Sequence, residues 1–166
     1  MFVPKTGPVI GASIRMDNVL VADNANVNLP EVAAATADVQ AMGTMTLPIW
    51  PLLEDMEMSV TKIGVDHGFS KAISPGVKTL EVRFAQSQVD ADGNVKYVNC
   101  KAFCKGSVAT IPSISTEVGS AYEGEVVYKV TRYQLFVDGA EAILVDRLAG
   151  KLKINGKDLT SGLAEL

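Results

Sequence analysis

Asp90, Asp92 and Asn94 stand at alternate positions, the opening spacing of a calcium loop whose side-chain oxygens converge on one ion. The glycine such a loop requires would fall on Val95 and its terminal bidentate glutamate on Lys101, so Asp90 to Asn94, with Gly93, is expected to be a tight turn instead. His67 is the one histidine. Nucleophilic catalysis through it would need a serine or cysteine and an orienting acid in a recognisable setting, and neither Cys100 nor any serine offers one. A surface position at a helix start is expected. Cys100 and Cys104 lie four apart in a stretch that reads as a strand, on one face and about 13 Å from each other at about 3.3 Å per residue. That excludes a mutual disulfide. Without two further ligands at useful spacing they read as small buried apolar residues. The 14 glycines form neither a dinucleotide-binding fingerprint nor a P-loop. The carboxylate pairs Glu54 with Asp55 and Glu123 with Glu125 read as solvated loop charges. No catalytic residue, cofactor site or metal site is expected, and the chain is not expected to be an enzyme.

Composition narrows the class further. At 166 residues and 48% apolar, the chain can bury roughly two-thirds of the surface it exposes when unfolded, as one domain spanning residues 1–166 without disulfide support. A net charge of −4 and a pI of about 5.0 leave no concentrated basic face for sequence-specific nucleic-acid binding. The charged fraction of 20% is below the usual quarter, consistent with surface covered by other subunits. Met1 to Pro8 lacks the basic and apolar regions of a signal peptide, so synthesis and assembly in the cytoplasm are expected. The longest uncharged run, Val39 to Leu53, is interrupted by Gly43, Pro48 and Pro51 and is too short for a membrane helix.

The elements that would hold these residues are mostly strands, because period-two alternation and turn dipeptides dominate. Met56 to Ile63 alternates cleanly, Val77 to Val89 is turned by Asp90–Asn94 into Val95 to Phe103, and Val126 to Val137 is turned by Asp138-Gly139 into Glu141 to Val145. Asn155-Gly156 turns a short strand at Leu152–Ile154, and Asp17-Asn18 joins Val9–Met16 to Val19–Val21. One helix is expected from Asp66, its cap, to about Ile73, ended by Ser74-Pro75-Gly76.

Two segments do not suit a compact monomer. Glu31 to Met42, EVAAATADVQAM, presents two strand faces of small residues, neither a strong core, so its register is poorly set by its own domain and neighbouring chains are needed to fix it. A helix is the alternative, given its alanines. Gly106 to Gly124 reads as the polar tip of a long hairpin with arms Lys101–Thr116 and Glu125–Val137.

The order of these elements resembles the major tail tube protein of contractile-tailed bacteriophages and of related phage-tail-like bacteriocins, over nearly the whole length. The resemblance rests on several weak features in sequence: the opening hairpin at Asp17-Asn18, Val27-Asn28-Leu29-Pro30-Glu31-Val32 leading into the small-residue strand that closes at Met42-Gly43, and the alternating Met56–Val60 strand before a short helix. Downstream come the long hairpin with a polar tip, Tyr133-Gln134-Leu135-Phe136-Val137-Asp138-Gly139, Ala142–Asp146 and Asn155-Gly156.

The resemblance implies a mainly β chain, a β-sandwich or barrel-like body with one short flanking helix, and long extended hairpins that form an inter-subunit β-barrel tube. It implies homohexameric rings stacked into a hollow conduit inside a sheath, with tail sheath, tape measure and baseplate proteins as partners. Transient passage of DNA is compatible with it, and a membrane anchor is not expected. The mature location would be a virion tail or a released phage-tail-like particle. Glu31, Ala33, Ala35, Thr36, Asp38 and Gln40, with Thr110, Ser113, Lys129 and Thr131, would line the tube or its interfaces. Glu117, Gly119, Tyr122 and Glu123 would form an inter-ring loop. The rival reading from the alternating strands alone is a monomeric β-barrel that encloses a small ligand.

Overall fold

The computed structural model describes residues 1–23 and 25–161. The order is β1 (Lys5–Met16), β2 (Val19–Asp23), β3 (Asn26–Asn28), β4 (Ala34–Gln40), β5 (Thr44–Leu53), β6 (Met56–Ile63), α1 (His67–Ala72), β7 (Val77–Val89), β8 (Val95–Thr110), β9 (Glu123–Val137), β10 (Ala140–Asp146), β11 (Lys151–Ile154) and β12 (Lys157–Asp158). Asp17 and Asn18, Asp138 and Gly139, and Asn155 and Gly156 all adopt positive φ, the pairing that two-residue hairpin turns need to match strand twist. Asp66 caps α1 by accepting from the Phe69 amide at 2.9 Å.

Ten strands form one antiparallel sheet in the order β12-β11-β10-β9-β8-β7-β1-β2, with β6 joined to β9 and β3 to β6. β9 is its spine. One edge pairs with β8 from Val127 to Val137, while the other pairs first with β6, through Glu123–Val130, and then with β10, through Arg132–Val137. The change of partner falls at Thr131, where the β8–β9 register shifts between Lys105 and Gly106. Gly106 permits it: a Cβ there would lie 2.3 Å from the Lys129 carbonyl oxygen, closer than any side chain tolerates.

Alternate residues of these strands point into one core. Ile14 and Met16 of β1, Met56, Met58 and Val60 of β6, Leu80 and Val82 of β7, Ala102 and Cys104 of β8, and Val126, Tyr128 and Tyr133 of β9 are all buried together, with Phe69 and Ala72 of α1 as a plug. Tyr128, fully buried, donates its hydroxyl to the Ala72 carbonyl at 2.7 Å, which ties helix to sheet and satisfies the one polar atom its burial would otherwise strand. The interior of the curved sheet is therefore filled by side chains where a ligand barrel would be hollow.

Two predictions follow from this packing. Gly106→Ala should cost about 1–3 kcal/mol by forcing the backbones apart, read as a lower urea midpoint. Burial pushes Cys104 up to about 12 and, first among its causes, pushes Tyr133 up to about 12 as well. In the unfolded chain these groups ionise near about 8.5 and about 10, so at high pH the folded state holds more protons and stability falls as pH rises through that window. The urea midpoint should drop between pH 8 and pH 10.5, and Cys104→Ala should flatten the drop.

Candidate assembly interface

β4 and β5 form a two-stranded ribbon that shares no ladder with the ten-stranded sheet among the described residues. Its pairing, Ala35 with Ile49, Thr36 with Pro48, Ala37 with Leu47, Asp38 with Thr46, Val39 with Met45 and Gln40 with Thr44, sorts the side chains by chemistry. One face carries Ala35, Ala37, Val39, Met45, Leu47 and Ile49. The other carries Thr36, Asp38, Gln40, Thr44, Thr46 and Pro48, because successive strand residues point to opposite faces. Polar pairs bridge the second face, with Thr46 donating to Asp38 at 2.8 Å and Gln40 to Thr44 at 3.2 Å. The apolar face is half-buried at Ala35, Ala37 and Ile49 and open toward the ribbon's tip, where Val39 and Met45 are each 43% exposed and Leu47 40%. Among the described residues the outer edges of both strands have no partner strand, an arrangement that natural sheets cover or blunt.

The expected strand Glu31 to Met42 is therefore observed over Ala34–Gln40 and not as a helix. The sequence reading missed its partner, β5, since Pro48 and Pro51 argue against a strand. Proline is tolerated here because β5 is an edge, and Pro51 lies where the register breaks between Ala34 and Ala35. Of the residues singled out in this region, Ala35 is on the apolar face and Thr36, Asp38 and Gln40 are on the polar one. Glu31 and Ala33 precede β4, where the Ala33 carbonyl accepts from the Glu54 amide at 2.9 Å and closes the ribbon's root.

The second group is more dispersed. Thr110 ends β8 and Ser113 lies in the connection beyond it, its carbonyl accepting from the Tyr122 hydroxyl at 2.8 Å. Lys129 and Thr131 stand on β9, whose two edges are both used within the chain, so they can offer a neighbour side chains but no ladder. Lys129 is ion-paired with Glu57, a contact that raises its pKa. Thr131 donates to the Lys105 carbonyl at 3.2 Å. Glu117 and Gly119 form the exposed turn of the β8–β9 connection, with Gly119 at φ +88°. Tyr122 and Glu123 instead belong to its fixed base: the Tyr122 carbonyl accepts from Gly64 at 2.8 Å, its ring meets Phe69 edge-on at 6.3 Å, and Glu123 pairs with Ile63 in the ladder.

The residues screened for chemistry are otherwise employed or idle. Asp90 accepts from the amides of Asp92 and Asn94, each at 2.9 Å. Those bonds, led by the one from Asn94, lower its pKa. His67 is exposed, both cysteines are free and buried, and Asp55 is ion-paired with Arg147 at 3.3 Å. Among the described residues no group of His, Cys, Asp and Glu could hold a metal ion, and no helix is long and apolar enough to cross a membrane. A surface groove of about 750 Å³ runs between Ser13, Arg83, Asn99, Lys101, Phe103 and Phe136. Its cations share the buried carboxylate of Glu81, with Arg83 in close contact and Lys101 at 3.8 Å. Asp23 and Cys100 also line it, and burial pushes the Cys100 thiol up, away from the thiolate form that would react.

Comparison with known proteins fits this picture. The family described as phage tail tube protein FII matches residues 10–164. A chain of the sheath–tube complex of the PVC extracellular contractile injection system in its extended state is similar in fold, with a TM-score of 0.52 at 11% identity over 78% of this chain and 90% of that one. A chain of the same system's sheath/tube terminator in its extended state gives a TM-score of 0.48 at 15% identity, over 78% and 95%. No curated protein sequence matches.

If the ribbon's apolar face contributes little to the free subunit, Leu47→Lys should shift the subunit's unfolding free energy by less than about 1 kcal/mol, whereas Met58→Lys, in the core, should unfold it. Thermal melts of the two purified variants measure the contrast.

Proposed function

The chain belongs to the phage tail tube protein FII family, and from that premise we propose a non-enzymatic subunit that closes into six-membered rings, stacked as the hollow inner conduit of a contractile tail or a related injection particle. The observation that carries the proposal is the two-faced β4–β5 ribbon with both outer edges open. Edge-to-edge pairing around a ring turns separate ribbons into a closed barrel and removes the unpaired edges. The polar face, with Thr36, Asp38, Gln40, Thr44 and Thr46, then borders the water-filled bore. The apolar face, with Val39, Met45 and Leu47, is covered by subunit bodies. Lys129 and Thr131 supply side-chain contacts beside this wall, and Glu117 and Gly119 at the exposed turn meet the next ring. A single domain over residues 1–166 performs all of this.

The sheath is the first external partner to test, since the PVC neighbour comes from a sheath–tube complex. Tape measure and baseplate proteins follow from the same role. The tube is built from subunits made in the cytoplasm and ends in the mature particle. A polar, weakly acidic wall suits passage of an anionic polymer such as DNA, because it offers phosphates no cationic grip.

Negative-stain microscopy of the concentrated protein should show six-fold rings or tubes. Leu47→Lys should leave a folded subunit that does not assemble, while Thr46→Lys, on the bore face, should still assemble. On assembly, amides of Ala34–Gln40 should gain hydrogen-exchange protection, those of β6 and β7 being protected throughout. A monodisperse monomer at every salt and protein concentration would overturn the proposal.

A further inference from the structure

Among the described residues, the side chain that clasps the ribbon's root to the body by hydrogen bonds is a single arginine. Arg147 sits in the turn between β10 and β11. Its guanidinium donates to the Leu53 carbonyl at 3.2 Å, the Glu54 carbonyl at 3.3 Å and the Asp55 carboxylate at 3.3 Å, three successive residues at the point where β5 leaves for β6. Its own amide donates to the Thr131 carbonyl at 3.0 Å, at the site where β9 changes partner. One residue thus joins the ribbon's root to the bend in the spine strand. A planar fork of five donors can span two carbonyls and a carboxylate together, which a lysine ammonium on a flexible stem does not reproduce.

We propose that Arg147 is a positioning residue for assembly: it fixes the angle at which the β4–β5 ribbon leaves the body, and so presents the ribbon's open edges in the orientation that a neighbouring copy can pair with. The proposal rests on the tube reading above. A ribbon without its own core also leans on the body through the partly buried Val32 and Leu53 at its base. In a closed ring the angle of every ribbon must match that of the next, so a swinging ribbon loses assembly before it loses fold. The ion pair with Asp55, whose side chain is 80% exposed, is the dispensable part, since exposed pairs contribute little. The two carbonyl bonds set the angle.

The experiment compares wild type with Arg147→Ala, Arg147→Lys and Asp55→Asn. Two readouts are taken: the threshold concentration for tube growth, and the spin-label distance distribution in the monomer between Met42→Cys at the ribbon tip and Lys157→Cys on β12. The buried native cysteines are left in place. Arg147→Ala should keep a cooperative melt, broaden the distance distribution and raise the threshold about tenfold or more. Arg147→Lys should fall between, and Asp55→Asn should match wild type. A narrow, unchanged distribution with an unchanged threshold in Arg147→Ala overturns the clasp while leaving the tube intact. Loss in Asp55→Asn equal to that in Arg147→Ala would overturn the carbonyl clasp in favour of the ion pair. Failure of wild type itself to assemble would refute the tube reading separately.

Discussion

Everything outside the core is organised by one constraint: backbone amide and carbonyl groups along the outer edges of β4 and β5 need partners that no other described strand supplies. Within the ten-stranded sheet the same constraint is largely met locally. β9 has neighbours on both sides, and the split of its second edge between β6 and β10 lets one strand serve two directions of sheet. The ribbon has no such neighbour. It is also too thin to have a core, because two strands define two faces and no interior. In the proposed tube its ordering energy comes from neighbouring copies, through ladder bonds and through cover for Val39, Met45 and Leu47.

The body is what makes this dependence tolerable. Tyr128, Phe69, Met56 and Met58 fill the space inside the curved sheet, and the bond from Tyr128 to Ala72 locks the helix over it. Folding thus does not wait for assembly, and the uncovered ribbon is a local cost set against a complete core. Gly106 and Thr131 place the bend of the spine beside Arg147, so the route from core to ribbon is short: one main-chain bond to Thr131 and the guanidinium bonds to the carbonyls of Leu53 and Glu54.

Sequence pattern revealed the body far better than the interface, for physical reasons visible in particular residues. Met56–Ile63 and Val77–Val89 are patterned to bury one face, and Asp17-Asn18, Asp138-Gly139 and Asn155-Gly156 need positive φ, so strands and turns were legible nearly to the residue. The ribbon was half legible. Ala34–Gln40 showed itself by its lack of a core face, but Thr44–Leu53 was hidden by Pro48 and Pro51, which signal a break unless the strand is known to lie at an edge. Tyr122 and Glu123 look like part of a polar tip in sequence, yet the contact with Phe69 and the ladder with Ile63 make them its anchor. Arg147 carried no signal at all: its three acceptors are more than ninety residues away, and two of them are main-chain carbonyls that any sequence possesses.

The strict separation of the ribbon's two faces has an evolutionary and engineering corollary. Among the described residues the side chains of Asp38, Gln40, Thr44 and Thr46 bond to one another, Thr36 is exposed beside them, and none of the five packs in the core, so selection can alter their charge and size without renegotiating the fold. In the proposed tube, a lineage could drift from this weakly acidic wall to a strongly acidic or a basic one by single substitutions, each repeated once per subunit around the circumference. The same independence makes these five positions the natural handles for converting the scaffold into a pore of chosen ion preference, since one codon changes a whole ring of groups while the architecture that bears them stays as it is.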